Sequence, residues 1–243
     1  MSRPFAVFDI DGTIIRWQLF HAIVSQLSDD GKLPREAATS ITDAFQSWRR
    51  RSSTVSFSDY EMTLVNNYSK AITHISHSDF LHAAESVYRQ YQDQVYVYTR
   101  NLITELKANN YLLFAVSGSH QEIVDKLGES YGFDAVVGAQ YEVVDGQFTG
   151  SRSSPATDGK APIVKRLVEQ FGATWKGSLA IGDSLSDAAM LELVEQPIAF
   201  NPDQKLFQRA RDAGWKVVIE RKNMIYTLSD KNGEFVLTDT NIN

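Results

Sequence analysis

Phe8-Asp9-Ile10-Asp11-Gly12-Thr13 places two carboxylates two residues apart at the end of a short apolar run. In extended chain, residues i and i+2 share a face, so Asp9 and Asp11 would stand about 7 Å apart. Two such anions repel unless a positive charge lies near them. A hard divalent cation with oxygen ligands supplies that charge, and Mg²⁺ is the usual one where phosphate is also bound. Gly12 permits a sharp turn, and Thr13 offers a hydroxyl to a ligand such as phosphate. Read alone, the string also fits an Asp-Gly turn with Asp11 as its cap. Ser117-Gly118-Ser119 joins hydroxyls to bare backbone N–H groups, a ready anion site if a helix starts there, or an ordinary serine cap. Lys160, at the start of a helical segment, opposes the helix dipole. It is either a solvated lysine, the simpler reading in isolation, or a counter-charge to phosphate. Gly182-Asp183-Ser184-Leu185-Ser186-Asp187 supplies a second acidic pair, which could equally be a surface Asp183 and a helix-capping Asp187.

These groups can meet only if the elements before them deliver them to one edge. Residues 5–9 read as a buried strand. From Trp17 to Tyr91, apolar residues recur at spacings of three and four, as in Trp17, Phe20, Ile23, Val24 and Leu27, which predicts about four helices and no strand. Pro34 opens one of them, and Ser58-Asp59 and Ser78-Asp79 mark two further starts. Beyond residue 97 the pattern turns α/β. Helices are expected at 97–109, 119–127, 160–171, 187–194 and 203–213. Strands are expected at 111–116, 135–137, 177–181, 198–200 and 216–219. Residues 141–149 read as a hairpin around Asp145-Gly146, and the tail as a small hairpin around Lys231-Asn232-Gly233. The alternation implies a doubly wound, mostly parallel sheet covered by helices. The acidic, Ser-Gly and Gly-Lys motifs then all fall at strand exits or the loops beside them. The division is a core of residues 1–15 and 93–243, with 16–92 inserted after the first strand as a helical cap. Such an insertion emerges at the ligand-binding end of the sheet and is placed to act as a lid.

Bulk properties bound the function. The 243 residues carry a net charge of −6, so a general nucleic-acid binder is disfavoured. Cysteine is absent, which excludes disulfides and thiolate metal sites. No apolar run approaches the ~18 residues of a membrane span, and the N-terminus does not read as a signal peptide. A cytoplasmic protein with no membrane, nucleic-acid or obligate protein partner is expected.

In this order and spacing the four motifs resemble the haloacid dehalogenase superfamily of phosphohydrolases. The resemblance runs from residue 5 to about 219. The helical insertion and the Glu142–Gly150 hairpin resemble the cap of its phosphoserine-phosphatase-like branch. The resemblance implies a Rossmann-like core and a Mg²⁺-dependent phosphatase acting on a small phosphorylated metabolite. Asp9 would be the nucleophile that becomes an aspartyl phosphate. Asp11 would protonate the leaving group and then activate water. Mg²⁺ would be held by the Asp9 carboxylate, the Asp11 backbone carbonyl and Asp183, with Asp187 in support. Ser117, the Gly118 N–H and Lys160 would hold the phosphoryl group. The presence of Asp11 favours a phosphatase over relatives that do not hydrolyse the acyl phosphate quickly.

Two positions depart from phosphoserine phosphatase. Gln18 stands near where that enzyme has a cap glutamate for the substrate amine, and Ser186 replaces an asparagine, so phosphoserine is disfavoured as the substrate. Trp17, Phe20 and Trp48 either stack a substrate group or, the simpler reading, pack the cap. Arg49, in the run Arg49-Arg50-Arg51, either clamps a second anion or forms a solvated face. His74 and His77 lack an evident third ligand for zinc. Two rival functions share the motifs: transfer of the phosphoryl group to an alcohol, and non-catalytic binding of a phosphometabolite.

Overall fold

The computed structural model describes residues 2–50, 54–231 and 234–242. Arg51, Asn232 and Gly233 lie outside the described residues. The chain runs β1 (Pro4–Phe8), α1 (Leu19–Asp29), α2 (Arg35–Arg50), α3 (Phe57–Ala71), a 3₁₀ turn at Ile72–His74, and α4 (His77–Tyr91). It continues with α5 (Val97–Ala108), β2 (Leu112–His120), α6 (Gln121–Tyr131), β3 (Ala135–Val144), β4 (Gln147–Ser153), α7 (Pro155–Asp158) and α8 (Lys160–Phe171). Then come β5 (Thr174–Gly182), a 3₁₀ turn at Leu185–Asp187, α9 (Ala188–Leu191), β6 (Gln196–Phe200), α10 (Gln204–Ala213), β7 (Lys216–Arg221), β8 (Met224–Lys231) and β9 (Glu234–Ile242). No helix among the described residues is long and apolar enough to cross a membrane.

The chain divides into two compact units. The first holds residues 1–18, 91–139 and 154–243. Its sheet runs β3-β2-β1-β5-β6-β7-β8-β9. β3, β2, β1, β5, β6 and β7 are parallel neighbours, and β8 and β9 add antiparallel strands. β1 is central: successive strands build outward from it through β2 and β3 on one side and through β5, β6 and β7 on the other. That reversal is the topological switch point where open α/β sheets bind ligands. Phe5 and Val7 join one apolar layer with Val164, Leu167, Leu191, Leu206 and Ala210 of α8, α9 and α10. Phe8 alternates to the other face and meets Phe133 edge-on with ring centroids 5.6 Å apart. Helices therefore cover both faces of a doubly wound sheet.

The second unit holds residues 19–90 and 140–153. It is helical apart from the hairpin, which the sequence reading assigns to the core. Phe148 of β4 packs on Phe80 and His77 with centroids 5.4 and 5.5 Å apart. The His77 N–H donates to the Gly146 carbonyl at 2.9 Å. These contacts tie the hairpin to α4. Asp145 (φ 50°) and Gly146 (φ 77°) form its two-residue turn, as the Asp-Gly pair requires. Phe20 packs on Tyr68 at 5.1 Å, and Trp48 lies parallel to Tyr60 at 5.8 Å. Both belong to the aromatic packing of this unit.

Several boundaries differ from expectation for local reasons. The strand expected at 111–116 continues to His120, and the helix begins at Gln121 rather than Ser119. The caps of α3 and α4 are Ser56 and Ser76, two residues before the serines expected. Each hydroxyl accepts the backbone N–H three residues on, from Asp59 and Asp79 respectively, at 3.1 Å in both cases. The true signal is Ser-x-x-Asp, a capping box. The helix expected at 187–194 is a 3₁₀ turn and the single turn α9. The small tail hairpin is in fact two full strands that extend the sheet.

The first unit closes where its chain leaves and re-enters. Ile15 bridges Val95, the Arg16 N–H donates to Gln94 at 2.9 Å and the Tyr96 N–H to Ile14 at 3.0 Å. Glu220 of β7 is buried there. It is ion-paired with Arg16 and accepts the first two amides of α5, from Val97 at 3.2 Å and Tyr98 at 2.8 Å. Glu220→Ala strands those amides and the guanidinium. It is expected to cost ~3 kcal/mol of unfolding free energy, read as a fall in the urea midpoint at unchanged slope.

Candidate active site

Asp9 follows β1 directly, and its N–H continues the ladder to Ile181 of β5 at 3.0 Å. The loop after it is tight: Ile14 and Ile15 both donate to the Ile10 carbonyl at 2.9 Å, and Gly12 donates to Ile15 at 3.0 Å. Gly12 sits at φ +79°, and a Cβ there would lie 2.0 Å from Asp183 Oδ2. Glycine is thus required twice, by the backbone conformation and by the approach of Asp183. Gly182 plays the same part for Asp187, whose Oδ2 would lie 2.5 Å from an added Cβ.

Three carboxylates converge here. One oxygen from each of Asp9, Asp183 and Asp187 lies within 4.8 Å of the other two. Lys160, from the first position of α8, is 3% exposed and reaches into the cluster. Its Nζ is 2.5 Å from Asp9 Oδ1 and 2.6 Å from Asp187 Oδ1. The other oxygen of Asp9 accepts the Thr13 hydroxyl at 3.0 Å. Asp187 Oδ2 accepts the N–H groups of Asp183 and Ser184, both at 3.0 Å, which folds the loop that carries Asp183.

Asp11 takes a different partner set. Its Oδ2 accepts the Ser117 hydroxyl at 2.6 Å and the Ser119 hydroxyl at 2.9 Å, from the end of β2. Ser117 and Ser119 are buried on one face of the strand, with Gly118 between them. Their i, i+2 spacing in extended chain explains the convergence. The two carboxylates of the first motif are thus held apart in function, Asp9 by ammonium and Asp11 by hydroxyls.

Burial and mutual repulsion both penalise the charged carboxylates here. Burial pushes the Asp9 carboxyl up to about 7, with Lys160 opposing and Asp187 and Asp11 adding to the rise. Desolvation, then the charges of Asp9 and Asp187, push the Asp183 carboxyl well above the usual range. Burial alone would lower the Lys160 amine, but Asp187 and Asp9 outweigh it and hold it above its ordinary value. A divalent cation is what such a hard oxygen set accepts, and the trio fits one.

Of the expected site residues, Asp9, Thr13, Lys160, Asp183 and Asp187 meet in this cluster, and Asp11, Ser117 and Gly118 lie at the adjoining strand end. The Lys160 alternative of a solvated side chain is set aside by its burial. Thr13 donates to Asp9 itself, so its hydroxyl orients that carboxylate. The Ser117–Ser119 segment is strand, not a helix N-terminus. Trp17 and Gln18 belong to the first unit. There Gly12 donates to the Trp17 carbonyl at 3.2 Å, and Gln18 Nε2 would lie 3.4 Å from a Gly12 Cβ. Arg49 is in the second unit with its guanidinium 5.6 Å from the Phe45 ring centroid. His74 and His77 take no part in the carboxylate cluster. The sequence reading missed Ser119 as a site residue, though its two-residue step from Ser117 was visible.

A family profile for haloacid dehalogenase-like hydrolase matches residues 6–192. The chain belongs to the haloacid dehalogenase-like hydrolase family. A phosphoserine phosphatase of Streptomyces coelicolor is 33% identical over 116 residues, covering 47% of this hydrolase-family chain and 28% of that protein. A histidinol-phosphatase of Neisseria meningitidis serogroup C is 24% identical over 224 residues, covering 89% of this chain and 98% of that one. The chain covers less than half the length of the first curated relatives it matches, 28%, 42% and 41%. A solved phospho-aspartyl intermediate analogue of phosphoserine phosphatase shares the fold at TM-score 0.62 and 19% identity, over 91% of this chain and 95% of that one.

Two outcomes test the site. Gly12→Ala drives a methyl into Asp183, so cation affinity measured by calorimetric titration with Mn²⁺ is expected to fall ~10-fold or more. The raised Asp9 carboxyl gives a pH signature. Protonation favours the folded state here, so the cation-free protein loses stability as pH rises from the ordinary 3.8 toward about 7. A divalent cation should therefore raise the melting temperature more at pH 8 than at pH 5. Equal shifts at both would deny it this role.

Proposed function

We propose that the protein is a Mg²⁺-dependent phosphatase that hydrolyses a small phosphorylated metabolite through an aspartyl phosphate on Asp9. The observation that carries this reading is the split between the two carboxylates: Asp9 sits in the cluster of three carboxylates and Lys160, while Asp11 is held apart by two hydroxyls. A nucleophile and an acid/base need such different surroundings.

Asp9 attacks phosphorus with one carboxylate oxygen, its orientation set by Thr13 and Lys160. The ester P–O bond breaks as the new bond forms, and Asp11 gives its proton to the departing alkoxide oxygen. Water then attacks the acyl phosphate as Asp11 takes its proton, and Asp9 and inorganic phosphate are released. Lys160, Ser117 and the Gly118 N–H are the groups for the phosphoryl oxygens, since phosphoryl transfer depends chiefly on positioning and charge stabilisation. Asp9, Asp183 and the Asp11 carbonyl would hold Mg²⁺, with Asp187 fixing the Asp183 loop. When bound, the cation offsets repulsion between carboxylate and phosphate dianion. The second unit, residues 19–90 and 140–153, acts as the cap that selects the ester. The similar proteins named for phosphoserine and for histidinol phosphate support a small alkyl phosphate. Gln18 argues against phosphoserine itself.

The test is a phosphate-release screen over phosphorylated amino acids, amino alcohols, polyols, sugars and nucleotides, with Mg²⁺ or with EDTA. Release from at least one ester is expected, abolished by EDTA. Asp9→Asn is expected to lower kcat at least ~10³-fold, as loss of an essential nucleophile does. Near-native turnover by Asp9→Asn would overturn the assignment of the nucleophile.

A further inference from the structure

We propose that Ser119 is a positioning residue that keeps the Asp11 carboxylate aimed when Ser117 turns to the phosphoryl group. The inference rests on the phosphatase reading of Asp11 and deepens it.

A serine hydroxyl has one hydrogen to donate. In this structure the Ser117 hydrogen goes to Asp11 Oδ2, at 2.6 Å. It cannot go to a phosphoryl oxygen at the same time. If Ser117 serves the phosphate, its bond to Asp11 must break on substrate binding. A carboxylate that gives up that short bond is less firmly aimed at the leaving group, when its aim matters most. Ser119 answers the difficulty. Its hydroxyl donates to the same Oδ2 at 2.9 Å, and its side chain is 1% exposed. Its backbone N–H donates to Ser117 Oγ at 2.9 Å. That second bond pins the Ser117 oxygen while leaving its hydrogen able to swing. One residue therefore supplies both halves of a hand-over: an anchor about which Ser117 pivots, and a hydroxyl that stays on Asp11.

The proton account is the one already given. As the Asp9–phosphorus bond forms and the ester P–O bond breaks, the Asp11 proton moves to the leaving oxygen, so an aimed Asp11 matters in proportion to how badly that oxygen needs it. Nitrophenolate leaves readily without help, whereas phenolate is more basic and depends on the acid.

The experiment compares kcat/KM for p-nitrophenyl phosphate and phenyl phosphate in the unmodified protein, Ser119→Ala and Ser119→Thr, all with Mg²⁺. Because kcat/KM covers only the steps through alcohol release, it isolates the acid role. Ser119→Ala is expected to lose about 10-fold on phenyl phosphate, a part of what general acids supply, and to stay within about 2-fold on the nitrophenyl ester. The nitrophenyl result also certifies a folded site. Ser119→Thr restores the hydroxyl and is expected to recover most of the loss. Equal losses on both esters, or none on phenyl phosphate, would overturn the Ser119 assignment while leaving the hydrolase reading intact. If the unmodified protein cleaves neither aryl ester, the three proteins are compared on the best alkyl ester of the metabolite panel. There Ser119→Ala is expected to lose about 10-fold and Ser119→Thr to recover most of it, and no loss would overturn the assignment. Cleavage of no ester at all fails the phosphatase reading, and this assignment falls with it.

Discussion

Crowded negative charge at the carboxyl end of β1 is the constraint the rest of the site answers. Two like charges within 4.8 Å of each other repel by about 3 kcal/mol or more at the effective dielectric of a protein, and burial removes the water that would otherwise soften this. Lys160 lies within reach of two of the three carboxylates, yet one ammonium cannot balance three anions. Burial first, and the neighbouring carboxylates after it, push the Asp9 and Asp183 carboxyls upward. A fold that only needed stability would not retain this arrangement, because an under-neutralised buried cluster is destabilising. Under the proposed phosphatase function, a cluster that receives a cation and a phosphate has use for it.

The fold makes the crowding possible through backbone more than side chain. Parallel neighbours bring the exits of β1, β2 and β5 side by side, so residues far apart in sequence end at one rim. Gly12 and Gly182 then remove the Cβ atoms that would hold Asp183 and Asp187 away. The same geometry separates the duties of Asp9 and Asp11. The strand ends at Phe8, so the two aspartates are not simple same-face neighbours. The tight loop leaves Asp9 with Lys160 and Thr13, and gives Asp11 to the end of β2.

The chemistry was more legible in the sequence than the boundaries were. Each acidic motif follows an apolar strand and precedes a glycine or a helix, a pattern that survives errors of two or three residues. The α/β alternation and the helical insertion were legible for the same reason. The end of β2 was not, because Ser-Gly-Ser is a common way to begin a helix. What keeps Ser117–Ser119 extended is a carboxylate more than a hundred residues away, and no local propensity encodes that. Lys160 misleads similarly: locally it is an unfavourable helix-start cation, and only the tertiary neighbours Asp9 and Asp187 make it favourable. Residues 140–153 look like a core hairpin by position. They group with the helices because Phe148 finds its partners on α4.

An insertion placed one short loop after Asp9 poses a further problem. Residues 19–90 leave the first unit after Gln18 and return to it at Tyr91, and any looseness at that junction would reach the carboxylates through the loop 10–15. The junction is built to prevent this. The outgoing and returning chains pair through Ile15 and Val95. Arg16 donates to the Val95 carbonyl at 2.8 Å, and its guanidinium meets Glu220. Glu220 in turn caps α5 from β7, a strand outside the carboxylate cluster. The buried carboxylate at the junction and those at the site are thus put to opposite uses. Glu220 is fully matched by one guanidinium and two amides and can serve as a rigid anchor. The cluster around Asp9 is left short of positive charge, which is what allows it to bind.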